Sequence, residues 1–532
     1  MGVQEVPVLV VGGGPVGLSA SLLLSRHGVR SLLVERHPGT SVHPKARGLN
    51  VRTLELFRLW GLEAAVRSAA SELDRAVDVV WAPTLIAPET KRAPYGGARE
   101  RLRDDSPCTS AGCTQDRLEP SLLEAARSYG LGEFRFGQEL RALSQDADGV
   151  TARVVDRQSG EETIVRAAYL VAADGARSSI RSMLGIVLDE TPAAPHRMGI
   201  YFRADLREIA SRRPALLYFV SPPEGAGVIA AVNLADRWLY MAPFRPQQGE
   251  RVEDFDEARC VQLVRSAVGI EDLQVELLAA LPWSLAAAVA DRFRAGRVFL
   301  AGDAAHLGSQ GLNVGIQDVH NLAWKLAAVL AGWAGEELLA SYEAERRPFA
   351  LAMKDDHERN LAAGGSGERL EQFSNRGRVL GISYQSSAVI PDGTDLPKVA
   401  NPVVDYAPTA RPGSRAPHMW LWDNGKRIST LDLYDTRFTL LTSRHGTSWQ
   451  SAAEQANTKL AVPLACHTIG PDGPLIDSND EWARLYGIQH DGAVLVRPDG
   501  HVACRVPTLG DHASSEKLTT ALRRILSSAH RA

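Results

Sequence analysis

The most constraining feature of the sequence is a strand–turn–helix–strand pattern close to the N-terminus. An apolar run over residues 6–11 leads into the turn GGGPVG, a helical pattern follows, and a second apolar run over residues 29–34 ends in an acid. In such a unit the glycines permit a tight turn, let a pyrophosphate approach the backbone and allow close helix–strand packing, while the acid accepts hydrogen bonds from a ribose. The pattern predicts a dinucleotide site formed by Gly12, Gly14, Pro15, Val16, Gly17, Glu35 and Arg36.

The length and composition of the chain bound the other possibilities. The chain has 532 residues, which at about 150 residues per domain is enough for roughly two to four domains. Its net charge of -4 offers no general attraction to nucleic acid or to an anionic membrane. Its five cysteines form no CxxC pair and have no metal-ligand spacing, so we expect neither a disulfide framework nor a metal site. The sequence has no recognisable leader and no apolar run of about 18 residues, so we expect a cytoplasmic protein that is not in a membrane.

Two further strands are expected to end in an acid beside a glycine. Apolar stretches precede both pairs, which are Asp174 with Gly175 and Gly302 with Asp303. Because open α/β sheets bind ligands at the carboxyl ends of their strands, both acids are placed to meet a cofactor. For Asp174 the sequence leaves open the alternative that the acid only caps the following helix.

Two other segments carry candidate cofactor contacts. Lys45 and Arg47 precede an amphipathic helix, where their charges either neutralise cofactor phosphates or face solvent. The segment Gly311, Leu312 and Asn313 follows the second acid, and a helix is predicted to begin near Val314. The dipole of such a helix stabilises negative charge at its N-terminus, although a plain helix cap is the alternative interpretation.

These motifs together resemble one enzyme family. The segments GGGPVG, AADGARSSIR, AGDAAH, WKLAAVL and YEAERRP resemble, in sequence and in order, the FAD-dependent aromatic hydroxylases that include para-hydroxybenzoate hydroxylase. The C-terminal part is closer to the branch that acts on phenols, resorcinols and aromatic polyketides. The resemblance implies an α/β fold with a Rossmann-like FAD-binding domain (residues 1–190 and 285–390) and an antiparallel-sheet substrate domain (191–284). A linker (391–412) and a thioredoxin-like C-terminal domain without CxxC (413–532) would follow.

The resemblance also implies roles for single residues. The N-terminal glycine turn and Glu35 would hold the ADP half of FAD, and Asp303 would hydrogen-bond the ribityl chain. Asp174 would serve both FAD and NAD(P)H, and backbone N–H groups of residues 311–313 would face the flavin pyrimidine. The cofactor contacts implied beyond the first unit are Lys45, Arg47, Gln115, Asp174, Gly175, Gly302, Asp303, Gly311, Leu312 and Asn313.

The reaction implied by the resemblance leaves most chemistry to the cofactor. NADPH or NADH reduces FAD, O2 adds to give a C4a-hydroperoxide, and one oxygen atom passes to a phenolic or polycyclic, polyketide-type aromatic substrate. No catalytic side chain stands out in the sequence, and His306 is interpreted as a histidine of a helix start or of the core. Both a monomer and a homodimer are compatible with the sequence.

The substrate pocket is expected on the antiparallel sheet. Because side chains alternate between the two faces of a strand, only about half of the candidates can face the pocket, and core packing is the alternative for each. The candidates are Tyr218, Phe219, Trp238, Tyr240 and Met241.

One segment departs from the family pattern. Family members carry a longer, proline-containing loop after the histidine, whereas this chain has only LGSQ at residues 307–310 before Gly311. In the family this loop borders the flavin face where oxygen meets the substrate, and loops tolerate length changes well. Two alternatives to hydroxylation therefore stay open. One is Baeyer–Villiger oxygenation on the same scaffold, and the other is a flavin-binding protein that has lost oxygenation and acts as a non-redox catalyst or binding module.

Overall fold

The computed structural model describes residues 3–70, 73, 78–94, 104–191, 194–308, 310–362, 375–443, 446–479, 481–509 and 514–527. Its strands in chain order are β1 (Val3–Val11), β2 (Ser31–Glu35), β3 (Gly48–Leu49), β4 (Asp78–Ala82), β5 (Lys91–Pro94), β6 (Ala111–Gly112), β7 (Gly132–Phe136), β8 (Gln138–Gln145), β9 (Val150–Asp156), β10 (Glu162–Ala172), β11 (Leu188–Glu190), β12 (His196–Arg203), β13 (Leu217–Val220), β14 (Gly227–Ala231), β15 (Arg237–Phe244), β16 (Glu276–Ser284), β17 (Ala288–Ala290), β18 (Arg294–Ala295), β19 (Val298–Leu300), β20 (His306–Leu307), β21 (Trp420–Asp423), β22 (Lys426–Ser429), β23 (Phe438–Ser443), β24 (Leu464–Gly470), β25 (Leu475–Ile476), β26 (Ala493–Val496) and β27 (Val502–Val506).

The α-helices of the described chain connect and cover these strands. They are α1 (Pro15–Arg26), α2 (Val51–Leu59), α3 (Glu63–Ala70), α4 (Gln115–Ser128), α5 (Ser179–Met183), α6 (Arg207–Arg212), α7 (Glu257–Val268), α8 (Gly311–Leu330), α9 (Ala340–Ala362), α10 (Arg376–Leu380), α11 (Thr447–Leu460), α12 (Trp482–Tyr486) and α13 (Ser514–Ile525). Among these helices, none is long and apolar enough to cross a lipid bilayer.

The first sheet confirms the α/β fold and gathers the motif ends at one edge. Its strand order is β18-β19-β10-β1-β2-β7, and β1 pairs in parallel with both β2 and β10. β10 also pairs in parallel with β19, so the turn after β1, Glu35, Asp174 and Gly302 all lie at the carboxyl edge of the sheet. β10 begins at Glu162, earlier than its apolar stretch predicts, because its first half pairs with β9.

The second sheet carries the predicted substrate strands. Its order is β16-β12-β15-β14-β13-β4-β5, and α7 packs on one of its faces. β4 and β5 come from residues 78–94, outside the predicted range 191–284, and β4 joins through a parallel pairing with β13. No local sequence pattern indicates a pairing between strands that lie so far apart in the chain.

The C-terminal residues form a separate sheet of order β22-β21-β25-β24-β23-β26-β27. The unit β23–α11–β24 is parallel, β26 and β27 follow antiparallel, and α13 packs beside α11, an arrangement consistent with the thioredoxin-like prediction. Cys466 on β24 and Cys504 on β27 are free thiols. Residues 391–412, the predicted linker, contain neither helix nor strand.

A buried ionic network joins this C-terminal sheet to α8 and α9. The carboxylate of Glu345 accepts hydrogen bonds from Lys325 at 2.8 Å and from Arg497 at 2.5 and 2.8 Å, and all three side chains are fully buried. Asp499 also binds Arg497 and accepts a hydrogen bond from the indole N–H of Trp324 at 3.2 Å. The sequence RPDG predicts a simple hairpin turn here, and it does connect the antiparallel strands β26 and β27. Its Asp499 is in addition a buried contact between domains.

Candidate functional site

The glycine turn after β1 combines tight packing with one open position. A Cβ added to Gly12, whose φ is +111°, would lie 2.1 Å from the carbonyl oxygen of Ala173, and one added to Gly17 would lie 1.9 Å from the oxygen of Gly12. These approaches pack α1 against the ends of β1 and β10. A Cβ on Gly14 would find its nearest atom, Oε1 of Glu119, only at 4.0 Å, so the space in front of Gly14 is open.

This open space lies at the N-terminus of α1, whose first N–H groups lack intrahelical acceptors. Pro15 begins the helix, where its missing N–H costs nothing, and Val16 packs against the positions that Cβ atoms would occupy on Gly302 and Gly315. The arrangement suits an anion such as a pyrophosphate.

Glu35 closes the turn from the end of β2. Its Oε2 accepts the N–H of Gly13 at 2.6 Å, and its Oε1 accepts the N–H of His37 at 2.8 Å. Arg36 is exposed, and its carbonyl oxygen accepts a hydrogen bond from Arg157 at 3.1 Å. The carboxylate of Glu35 is therefore held beside the glycine turn, where a ribose hydroxyl can reach it.

Asp303 lies in the short turn Gly302–Ala304, on the opposite side of the open space in front of Gly14. We call this space the cleft. Its side chain is exposed to solvent and makes no hydrogen bond with any residue of the described chain. Although the side chain reaches solvent, the surrounding protein atoms partly desolvate its carboxylate and raise its pKa, and His306 and Lys45 partly offset this effect. A Cβ on Gly311 would lie 2.7 Å from Oδ1 of Asp303, so the glycine lets α8 begin directly against this acid.

The N-terminus of α8 is tied to the segment that carries the basic residues. Asn313 donates from Nδ2 to the oxygen of Gly48 at 2.8 Å and accepts the N–H of Asn50 at 2.9 Å. Asn50 also donates to Oε1 of Gln310 at 2.9 Å, and Gln310 has φ +69°. The prediction that α8 begins near Val314 is wrong, because it begins at Gly311. The left-handed Gln310 and the tether to Asn313 outweigh the poor helix propensity of glycine.

His306 is a structural residue of this turn. Its Nε2 lies 2.7 Å from Oδ2 of Asp318, and the same oxygen accepts the N–H of Gly302 at 3.0 Å. Arg346 donates from Nε to Oδ1 of Asp318 at 2.8 Å and from Nη2 to the oxygen of Val314 at 3.2 Å. Although burial opposes ionisation, His306 and Arg346 lower the pKa of Asp318 to about 2. The fully buried carboxylate thus fixes α8 to the turn that presents Asp303.

Gln115 and the basic segment lie together beside Gly14. The N–H of Gln115 donates to the oxygen of Ala46 at 2.8 Å, between Lys45 and Arg47, and its side chain donates to Glu119 at 2.6 Å. Glu119 is buried and also accepts the N–H of Ser41, and desolvation raises its pKa. Sequence reasoning missed Glu119, whose only signal is that it follows Gln115 by one helical turn.

His43 is a second residue that the sequence prediction did not include, although it stands in the same segment as Lys45 and Arg47. Both of its ring nitrogens are buried without a hydrogen-bond partner among the described residues, and its ring packs edge-on against Tyr201 at 5.5 Å. Burial lowers its pKa, and Lys45 and Arg47 lower it further. A neutral imidazole offers one donor and one acceptor, and both are available to a ligand or to water at this position.

Asp174 acts as a cap and also keeps one oxygen unsatisfied. Its Oδ2 accepts the N–H of Ile180 at 3.3 Å, while its Oδ1 is buried without a partner and burial raises its pKa. Gly175 follows with φ +83° and has no atom within 4 Å of a Cβ position. Arg181 connects this region to the Gly302–Ala304 turn by donating to the oxygen of Ala304 at 3.1 Å.

The structure divides the five predicted pocket residues between the two faces of the second sheet. Tyr218, Trp238 and Tyr240 are buried in the core on the α7 side, together with Met198 and Val264. Their strands place them there because side chains alternate.

Phe219 and Met241 belong to the opposite face of this sheet. Phe219 stacks on Trp81 at 5.2 Å, and Met241 packs with Tyr201 and Leu239. This face looks toward the segments that carry the predicted cofactor contacts Lys45, Arg47 and Gln115, since Tyr201 contacts His43 and Arg237 lies 3.4 Å from the carboxylate of Asp116 on α4. We name it the cleft face.

Comparison with known proteins places these features in context. The sequence matches the families described as FAD binding domain, over residues 5–357, and as aromatic-ring hydroxylase, C-terminal, over residues 409–529. It is 40% identical to tetracenomycin A2 monooxygenase-dioxygenase of Streptomyces glaucescens, with 99% of this chain and 98% of the relative covered.

Two solved structures are similar over almost the whole chain. The flavin-dependent monooxygenase PieE, solved with FAD and substrate, has a TM-score of 0.90 at 36% identity, with 99% of each chain covered. Aklavinone-11 hydroxylase, solved with FAD and aklavinone, has a TM-score of 0.86 at 37% identity, with 99% of this chain and 100% of that one covered.

Proposed function

Because the chain belongs to the FAD-dependent aromatic-ring hydroxylases, we propose that it hydroxylates a polycyclic, polyketide-type aromatic compound, with NADPH or NADH as reductant and O2 as oxidant. The observation that carries the proposed substrate class is the breadth of the cleft face. It presents Trp81, Phe219 and Met241, and it continues to Leu281 and Trp283, whose exposed fractions are 46% and 37%. An exposed apolar surface of this kind, opposite the cofactor segments, suits a large planar ligand.

The residues present fit FAD. Gly14 and the N-terminus of α1 offer open space and free N–H groups for a pyrophosphate. The carboxylate of Glu35 lies beside them and can accept a hydrogen bond from a ribose hydroxyl. Across the cleft, the unpartnered carboxylate of Asp303 suits a ribityl hydroxyl, and the N-terminus of α8 at Gly311 suits the electron-rich edge of a reduced ring. When bound, FAD supplies the redox chemistry and the activation of oxygen.

The protein's own task is to hold, orient and shield the reacting groups. The tether from Asn313 to Gly48 and the Asp318 network fix the N-terminus of α8, so its dipole needs no reorganisation during the reaction. His43 is neutral and unsatisfied, and it offers one hydrogen-bond donor and one acceptor at the border between the cleft face and the cofactor segments.

The short loop after His306 motivates the main rival, a flavin-binding protein without oxygenation. Leu307 pairs with Ala288, and a Cβ on Gly308 would lie 3.6 Å from Cβ of Ala287, so the loop runs close to β17. Ser309 lies outside the described residues. We infer that a loop this short leaves room beside the N-terminus of α8 for a larger substrate.

A screen of substrate-dependent turnover separates the proposal from its rivals. The FAD-loaded enzyme is given NADPH or NADH and a panel of hydroxylated anthraquinones and naphthacenequinones, and NAD(P)H oxidation, H2O2 and product mass are recorded. Hydroxylation predicts that at least one compound accelerates NAD(P)H oxidation and gains one oxygen atom on a ring carbon. A ring-expanded lactone would indicate Baeyer–Villiger chemistry. FAD binding without any stimulated oxidation would support the rival.

We also propose a cytoplasmic location, with the protein acting as a monomer or homodimer. The five cysteines are free thiols, and Cys466 and Cys504 lack the CxxC arrangement of a redox pair. The thioredoxin-like domain is accordingly a structural part of the enzyme.

A further inference from the structure

One arginine on the cleft face has no partner among the residues that the structure describes. Arg197 lies on β12, two residues before Gly199 and four before Tyr201, so the alternation of the strand places it on the same side as Tyr201. It makes no hydrogen bond or ion pair with any residue that the structure describes. Arg203, on the same face of the same strand, differs in this respect, because it pairs with Glu276 at 2.6 Å.

Apolar residues flank Arg197 on the two neighbouring strands. Its cross-strand neighbours are Pro243 on β15 and Trp283 on β16. The next position on this face is Gly199, which stands between Met241 and Leu281.

Trp283 lies against Gly199 and is itself partly exposed. Gly199 is buried, and a Cβ there would lie 3.6 Å from the indole ring of Trp283. The absence of a side chain at Gly199 lets the indole lie close to the sheet, and 37% of Trp283 and 46% of Leu281 stay exposed on the side of Arg197.

Electrostatics also favour an incoming anion. Burial lowers the pKa of Arg197, Arg245 lowers it further, and only the phenol of Tyr240 opposes them. No carboxylate of the described residues contributes to its environment, so within this part of the chain the partly desolvated guanidinium has no counter-charge. A charge in such a setting is costly unless a ligand supplies the counter-charge and hydrogen bonds.

We propose that Arg197 binds an oxyanion conjugated to the aromatic substrate, a carboxylate or an ionised phenol, while the ring system lies along the exposed side chains of Trp283 and Leu281. The proposal rests on the proposed function, since it names the substrate's chemistry at the same cleft. The guanidinium donates paired N–H groups to the two oxygens of a carboxylate or to the oxygen of a phenolate.

Binding of matched ring compounds to the FAD-loaded enzyme tests this proposal without turnover. Anthraquinone-2-carboxylate and 2-hydroxyanthraquinone, the latter above its phenol pKa, are compared with the neutral isostere anthraquinone-2-carboxamide by calorimetry and by the change in flavin absorbance. We expect at least one anion to bind about 10-fold or more tightly than the carboxamide, the range of a charge-assisted contact. The probe that binds more tightly than the carboxamide shows whether Arg197 prefers a carboxylate or a phenolate.

Variants connect the preference to Arg197. R197Q is expected to abolish the preference and R197K to restore part of it, with FAD content unchanged. R203Q, which removes a paired arginine from the same face, is expected to keep it. Equal binding of anions and carboxamide to the wild type, no binding by any probe up to its solubility limit, or a preference that survives in R197Q would overturn the proposal. An intact preference without hydroxylation would contradict only the proposed function.

Discussion

Replacing Gly14 by alanine separates the cofactor role of the glycine turn from its structural role. Gly14 has φ −76° and ψ −176°, an extended conformation open to any residue, and the nearest atom to an added Cβ is 4.0 Å away. The methyl group therefore fits the folded apoprotein. Because alanine restricts the unfolded chain, G14A is expected to leave the free energy of unfolding unchanged or to raise it by about 0.4–1 kcal/mol.

The same methyl group stands where a pyrophosphate must approach. If it costs one charge-assisted hydrogen bond between a backbone N–H and a phosphate, about 1.5–3 kcal/mol is lost. The Kd for FAD then rises roughly 10- to 150-fold. Titration of apoprotein with FAD, followed by flavin fluorescence, measures this change, and urea unfolding of the apoprotein measures stability.

Gly17 provides the matched control. Its Cβ would lie 1.9 Å from the backbone oxygen of Gly12, so G17A forces α1 away from β1. Overpacking of this kind costs about 1–3 kcal/mol. If G14A bound FAD as tightly as the wild type, or if G17A unfolded at the wild-type urea concentration, our account of the turn would be refuted.

Four further substitutions test the cofactor site, the buried ionic network and the two faces of the second sheet. D303N should weaken FAD binding about tenfold, measured by titration of the apoprotein with FAD, because it removes the carboxylate proposed to accept a ribityl hydroxyl. E345Q should lower the free energy of unfolding by about 3–5 kcal/mol, since it leaves the buried Lys325 without its carboxylate partner and Arg497 with Asp499 alone. In the wild type the pKa of Glu345 is lowered to about 2, so its stabilisation is present above its ordinary value of 4.5 and is lost as the pH falls toward 2, which acid unfolding monitored by circular dichroism checks. M241A, on the cleft face, should raise the KM for the aromatic substrate roughly tenfold at unchanged FAD content, which steady-state kinetics measures. W238A, in the core, should instead lower the free energy of unfolding by about 3–5 kcal/mol, which urea unfolding measures.

Features set by local sequence were predictable. The turn after β1, Glu35 and the strand ends at Asp174 and Asp303 follow from apolar runs, glycines and acids within a few residues of one another. Their convergence follows from parallel pairing, because the carboxyl ends of parallel strands share an edge.

Features set by distant contacts were not predictable from the sequence. The division of Trp238 and Met241 between two faces depends on which side α7 covers, and the sequence gives alternation without direction. Likewise, the start of α8 at Gly311 depends on Asp303 and on Asn50, which lies far away in the chain. The burial of Asp499 depends on its contact with another domain.

Incorporation of labelled oxygen tests the central claim most directly. The FAD-loaded enzyme turns over a polycyclic phenol from the panel with NAD(P)H under 18O2, and the product is analysed by mass spectrometry. Our account predicts one 18O atom on a ring carbon for each NAD(P)H consumed in the coupled reaction. NAD(P)H oxidation that yields only H2O2, or a product whose new oxygen comes from water, would contradict it.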